Sequence, residues 1–133
     1  MSLAIGSALA SGLAGLDVAS RRVATAAGNI ANVHTLAPQG PNDTTGFRPL
    51  QVQQVSDVQG RPSAVIRAAT ASPLKTFEPT NPAADANGIV LRANVSLERE
   101  FVELITAQHA FKASLAAIAT AEKMLGTLFD EET

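Results

Sequence analysis

Large apolar residues recur in steps of four and three at both ends of the chain. Near the C-terminus Leu97, Phe101, Leu104, Phe111, Leu115, Ile118, Leu125 and Phe129 keep this spacing, with Gln108 and Glu122 in the two polar gaps. Near the N-terminus Leu9, Leu13, Leu16, Val23, Ala27 and Ile30 keep it through Ser20. A mean step of about 3.5 residues holds one stripe on one side of a helix. All seven prolines lie between Pro38 and Pro82. Proline costs about 3 kcal/mol inside a helix, so its exclusion leaves both ends free to form long helices. The second helix is predicted from about Ser96 to Leu128, a rod of about 50 Å at about 1.5 Å per residue. Asn94 or Ser96 can cap it, and Glu98 and Glu100 put negative charge in its first turn, where the helix dipole favours it.

The N-terminal helix is softer, because Gly6, Gly12, Gly15 and Gly28 each cost about 0.8 to 1 kcal/mol against Ala. It is expected to be marginal alone and to admit close neighbours once packed. Asn29 and Asn32 are placed to end it, since Asn tolerates left-handed backbone and its amide can cap free carbonyls. Two helices of this length form only a hairpin, which is expected to leave Ile5, Val18, Val102 and Ile105 uncovered and in need of partner helices. A monomeric bundle would use the same periodicity.

The middle of the chain differs in kind. Residues 34–46 are rich in turn formers and read as a surface loop. Leu50 to Gln53 alternate apolar and polar as a strand does, and Val65 to Thr70 and Gly88 to Arg92 are further strand candidates. Asp57 to Pro62 reads as a hairpin turn, Pro79 to Pro82 as a rigid connection, and Asp85 and Asn87 before Gly88 as another turn. The organisation expected is mainly α with a small β-rich insert. Residues 1–33 and 94–133 supply the helices of a coiled-coil-like hairpin that packs with neighbouring subunits, and residues 34–93 form the loop and β-rich middle.

Composition narrows the chemistry. A net charge of −2 gives no basic surplus to displace counterions from phosphates, which argues against a nucleic-acid partner. The chain has no Cys, so it offers neither a disulfide framework nor a thiolate site. No run reaches the length of apolar residues that a membrane span needs, and no direct membrane insertion is expected. The first sixteen residues carry no charged side chain, and Ala8-Leu9-Ala10 looks like a signal-peptidase site, but no basic segment precedes it, so no cleaved secretory signal is expected. His34 and His109 read as solvated side chains rather than ligands or bases, and the Glu98, Glu100 and Glu103 group as helix-start charges rather than a metal cluster. No glycine stands in a phosphate-cradling loop. No enzyme, cofactor, metal or small-molecule ligand is expected.

The string Asn29-Ile30-Ala31-Asn32, followed after the loop by Thr44-Thr45-Gly46-Phe47-Arg48, resembles the N-terminal signature of bacterial flagellar rod and hook proteins. Phe77-Glu78-Pro79-Thr80-Asn81-Pro82, continuing through Asp85 to Gly88, is similar to a segment of the proximal-rod members, and Asn94 then leads into a helix with Glu100, Ala107 and Phe111 at that family's spacing. The sequence departs from the pattern at Ser114 and Ala93, where the family commonly has Asn and Pro. The resemblance implies a structural subunit of the proximal rod, which transmits torque across the periplasm. It also implies uncleaved export through the flagellar type III apparatus. Implied partners are other copies of the chain, other rod proteins, and basal-body ring and rod-junction proteins. The helix-packing residues expected are Leu9, Leu13, Leu16, Val23, Ala27, Ile30, Leu97, Phe101, Leu104, Phe111, Leu115, Ile118 and Leu125. Carried over as family-motif residues are Asn29, Asn32, Thr45, Gly46, Phe47, Glu78, Pro79, Asn81, Pro82, Asp85, Gly88 and Asn94. The competing function is a soluble helical adaptor or export chaperone of the secretion apparatus.

Overall fold

A computed structural model describes residues 2–131. Helix α1 (Ser2–Ala31) leads through a loop to strands β1 (Leu50–Ser56), β2 (Pro62–Ala68), β3 (Leu74–Phe77) and β4 (Ile89–Arg92), and then to helix α2 (Leu97–Glu131). The strands make two separate antiparallel pairs, β1 with β2 and β3 with β4. Leu50 faces Ala68 in the first and Leu74 faces Arg92 in the second. Two helices around a small β-rich insert are thus the architecture that the hydrophobic pattern predicts.

The helices run antiparallel, with Arg22 bonded to Glu103 near one end and Gly12 beside Ile118 further along. Their contact stripe is not the predicted one. On α1 the buried residues Ile5, Gly12, Ala19 and Ala26 recur at seven-residue intervals, and on α2 buried Ala107 and Ala121 flank half-buried Ser114 at the same interval. A Cβ on Gly12 would lie 2.6 Å from Ile118 Cγ1, and one on Gly15 2.5 Å from Ser114 Oγ. No leucine fits between backbones this close, so the bulky residues take the flanks. Leu9, Leu16, Ile30, Leu97, Leu104, Phe111, Ile118 and Leu125 are half-buried there, whereas Leu13, Val23, Ala27, Phe101 and Leu115 are exposed. Ile5 and Val18, expected to be uncovered, are buried; Val102 and Ile105 are exposed as expected.

The start of α2 has a clear local cause. The Ser96 hydroxyl accepts a long, 3.4 Å bond from the Arg99 amide, while Asn94 donates instead to Ser72 O at 2.9 Å, so Ser96 is the cap. Acidic residues at a helix C-terminus oppose its dipole, yet α2 continues through Asp130 to Glu131, the last described residue. A dipole penalty of about 0.3 to 1 kcal/mol is outweighed by half-buried Leu125 and Leu128, at about 1.5 to 3 kcal/mol for a fully buried side chain.

The segment read as a surface loop is partly interior. Leu36 bridges to Arg92, the Ala37 amide donates to Leu91 O at 2.9 Å, and Ala37 and Pro38 are buried. Gly46 lies against them so closely that a Cβ would come within 2.1 Å of Pro38 N. Asp43 ties the exposed part, accepting from the Gln39 and Thr45 amides and from the Thr45 hydroxyl. These bonds, the Thr45 hydroxyl foremost, with Arg48 nearby, hold its carboxyl at about 2 against an ordinary 3.8. The predicted turns form: Asp57 accepts from the Gln59 and Arg61 amides, and Asp85 from those of Asn87 and Ile89, with Gly88 at φ 73°. β3 has no counterpart in the sequence reading, since four residues after Pro73 give too short a run to show alternation.

Gly46→Ala is expected to lower stability by about 1 to 3 kcal/mol or more in urea unfolding, because the clash is with backbone. The Asp43 carboxyl is depressed on folding, so its contribution is complete above its unfolded value near 4 and is lost as pH falls through about 2. Protection of the Gln39 and Thr45 amides, relative to their intrinsic exchange at each pH, should therefore fall across that window, and Asp43→Asn should remove that fall.

Candidate functional site

Three features concentrate the predicted residues. The first is the flank of the helix pair, where an open groove of about 580 Å³ is lined mainly by Val23, Leu104, Ile105, Phe111 and Leu115. Phe101 is 52% and Leu115 46% exposed, and Leu13 60%, so large apolar side chains stand in solvent along both helices of the single chain. Scattered exposed leucines are ordinary, but a spaced row beside an apolar groove is the composition of a contact surface.

The second feature joins the helices to the first sheet. Asn29 is the one polar side chain among the described residues that is fully buried. Its Nδ2 donates to Leu50 O at 2.7 Å and to Glu100 Oε1 at 3.1 Å, and its Oδ1 accepts from the Leu50 amide at 2.9 Å. One amide thus connects α1, the first residue of β1 and the first turns of α2. Asn29 was expected to help end α1; that task falls to Asn32, whose Nδ2 donates to Gly28 O at 2.9 Å. Neither residue uses left-handed backbone, since no described non-Gly residue has positive φ. Beside this junction the Arg22 guanidinium makes a two-pronged ion pair with Glu103. Hydrogen bonds from Arg22 hold the Glu103 carboxyl below its usual range, and the same bonds push Arg22 up. Arg22 was not singled out by the sequence reading, and Glu103, read with Glu98 and Glu100 as a solvated helix-start charge, is instead the ion-pair partner of Arg22. The available signal was an arginine recurring in register with Gly15 and Asn29, a charge where an apolar stripe would not place one.

The third feature is the turn between β3 and β4, which carries most of the second motif. Asn81 donates to Glu78 Oε2 at 2.9 Å and accepts from the Ala83 amide, while Arg92 donates to Glu78 Oε1 and to His34 O. Asn81 first, and Arg92 second, hold the Glu78 carboxyl below its ordinary value. Pro79 packs over Gly88, where a Cβ would meet Phe77, Pro79 Cβ and Pro79 Cα within 3.2 Å. Pro82 is exposed next to this network. The motif residues thus build a rigid turn, and Arg92 fastens it to the loop that follows α1. Thr45, Gly46 and Phe47 serve that loop from its other end, with the Phe47 amide donating to Leu36 O at 2.8 Å.

These features do not converge on a reactive centre. Among the described residues no group of three or more His, Asp or Glu could hold a metal ion, and no helix is long and apolar enough to cross a membrane. His34 and His109 are both exposed. What the geometry offers is a braced frame with an apolar flank.

The chain is similar to known proteins along most of its length. The family described as flagellar basal body rod FlgEFG protein C-terminal matches residues 86–130, from the β3–β4 turn through nearly all of α2. The flagellar basal-body rod protein FlgC of Salmonella typhimurium is 33% identical over 116 residues, covering 83% of this chain and 84% of the relative. Those of Escherichia coli O157:H7 and Yersinia enterocolitica are 32% and 31% identical over the same coverage. With the motif residues accounted for as structural braces and the relatives matching along most of their length, this chain belongs to the family of flagellar basal-body rod proteins.

Proposed function

We propose that the chain is a structural subunit of the flagellar basal-body rod, of the FlgC type and therefore of its proximal part, and that it acts mechanically. The observation that carries this reading is the row of exposed apolar residues on a helix pair whose own seam is already filled by small residues. Burying one such side chain against a neighbour contributes about 1.5 to 3 kcal/mol, so several per interface suffice to hold subunits together in a shaft. In this reading residues 1–33 and 94–133 form the helical layer and pack with neighbouring helices in coiled-coil fashion, and residues 34–93 form a β-rich unit beside it. The neighbours are other copies and other rod proteins, with ring and rod-junction proteins at the ends. Subunits reach the periplasm through the flagellar type III apparatus without a cleaved signal.

A rod subunit carries torque by stiffness. The Asn29 junction, the Arg22–Glu103 pair and the Glu78–Arg92 brace would transmit load between helices and sheets without a flexible joint. Such a protein has no reaction to catalyse, and the chain is structural rather than enzymatic.

Leu115→Asp alters a side chain that is exposed in the single chain, so its melting temperature should stay within a few degrees of the parent. Swimming and incorporation into purified basal bodies should be lost, and normal motility would contradict the proposal. Leu104→Asp should lose assembly and some stability together, because Leu104 is half-buried. Asn29→Leu leaves the Leu50 amide and carbonyl and the Glu100 carboxylate without that partner, and is expected to cost at least about 3 kcal/mol, at about 1 to 3 for each of the three stranded groups. Fractionation distinguishes the competing adaptor reading: recovery in the cytosol alone, never in basal bodies, would favour the adaptor.

A further inference from the structure

We propose that the outer edge of β1 is a pairing site for β1 of a second copy of this chain. The ladder between β1 and β2 fixes which main-chain groups are spent. At its two ends the Ala69 amide donates to Pro49 O and the Asp57 amide to Arg61 O. In an antiparallel ladder such bonded pairs alternate, so Gln51, Gln53 and Val55 also bond to β2, while Leu50, Val52, Gln54 and Ser56 turn their N–H and C=O away from it. The Asn29 amide takes up both groups of Leu50. Among the described residues nothing takes up those of Val52, Gln54 or Ser56.

The other edges of the two sheets are closed or blunted. The outer side of β4 is covered by Leu36, Ala37 and the Gln39 side chain, whose amide exchanges two bonds with Leu91. β3 is bracketed by Pro73 and Pro79 and carries Lys75, two devices that deter edge pairing. β2 begins at Pro62, which has no N–H to donate. β1, Leu-Gln-Val-Gln-Gln-Val-Ser, has no proline and no charge. Among the described strands β1 alone carries neither a proline nor a charge, so the pairing in which both members are open is β1 with β1.

Antiparallel pairing about a two-fold axis puts Gln54 opposite Gln54 and Val52 opposite Ser56, each facing pair exchanging two main-chain bonds. The pairing stops at Val52 because Asn29 already occupies Leu50. The strand itself carries no charge, and just beyond it Asp57 of the second copy would face Gln51, beside a recess lined by Arg22, Arg99, Glu100 and Glu103. A two-fold contact closes on itself and does not propagate, so it would cover an aggregation-prone edge in the unassembled subunit rather than extend a shaft. This inference stands apart from the rod reading, and failure of either leaves the other intact.

The absence of Cys makes the test clean. In full-length Gln54→Cys the two Cα atoms would be about 5.5 Å apart, within disulfide range. In Val58→Cys, at the 95% exposed hairpin tip, they would be about 27 Å apart at about 3.4 Å per residue. Under mild oxidation Gln54→Cys should form disulfide dimers at least about tenfold faster than Val58→Cys, as expected for aligned rather than collisional thiols. Equal rates, or a faster Val58→Cys, would overturn the proposal. The parent should show a concentration-dependent dimer by light scattering, and Gln54→Pro, which removes an outward N–H without touching the β2 ladder, should abolish it. A parent that stays monomeric at all concentrations would likewise overturn it. Should Gln54→Pro fail to fold, the cysteine comparison decides alone.

Discussion

The closeness of the two helices is the constraint on which the rest of the molecule depends. At Gly12 and Gly15 there is no room for even a methyl group without displacing Ile118 or Ser114. That closeness settles where every bulky side chain on the helices can go. A seam lined by Gly, Ala and Ser excludes Leu and Phe, so these are pushed to the flanks, where a single chain cannot cover them. Two of the four glycines that weaken α1 as an isolated helix, Gly12 and Gly15, are therefore residues that define its partner surface. Helix propensity is given up locally, and close packing offsets the loss only when α2 is in place.

Side-chain amides perform a second, recurring task. Asn29 and Gln39 each present a donor and an acceptor to one strand residue, Leu50 and Leu91, and so imitate the two bonds a neighbouring strand would make. Two short sheets, each of only two strands, are stabilised this way without needing further strands. The consequence is a β unit tied rigidly to the helices at the start of β1 and to the post-helix loop at β4. Buried amides are costly unless satisfied, and among the described residues every buried side-chain polar atom has a partner. The ion pairs Arg22–Glu103 and Arg92–Glu78 lie beside these amides and extend the same bracing outward.

The motifs behave as structure rather than as chemistry. Glu78, Asn81, Asp85 and Gly88 make one turn, Thr45 and Gly46 make another, and Arg92 reaches from the first to the carbonyl of His34. Conformation, not reactivity, explains why polar residues sit at these positions: Asn81 and Asp85 accept from backbone amides two to four residues on, Glu78 accepts from Asn81 and Arg92, and the Thr45 hydroxyl donates to Asp43. That fits a family whose members build a shaft, since a shaft subunit must hold its shape under load.

The chain order of elements was legible in the sequence because it rests on local physics. Proline exclusion and a 3.5-residue period specify two helices, and Asp, Asn and Gly at turn positions specify three of the bends. The short strand at Leu74–Phe77 was not legible, since four residues carry too little pattern. Nor was the true seam: the period is present at every phase of a helix rich in Ala, and only the facing helix selects Gly12, Ala19 and Ala26 over Leu13, Ser20 and Ala27. The partners of Asn29 lie 21 and 71 residues away along the chain. Sequence alone determined which segments are helical and that their apolar surface exceeds what one hairpin can bury. Tertiary structure decided which face turns inward, because that choice depends on the distance between two backbones, a quantity no single segment encodes.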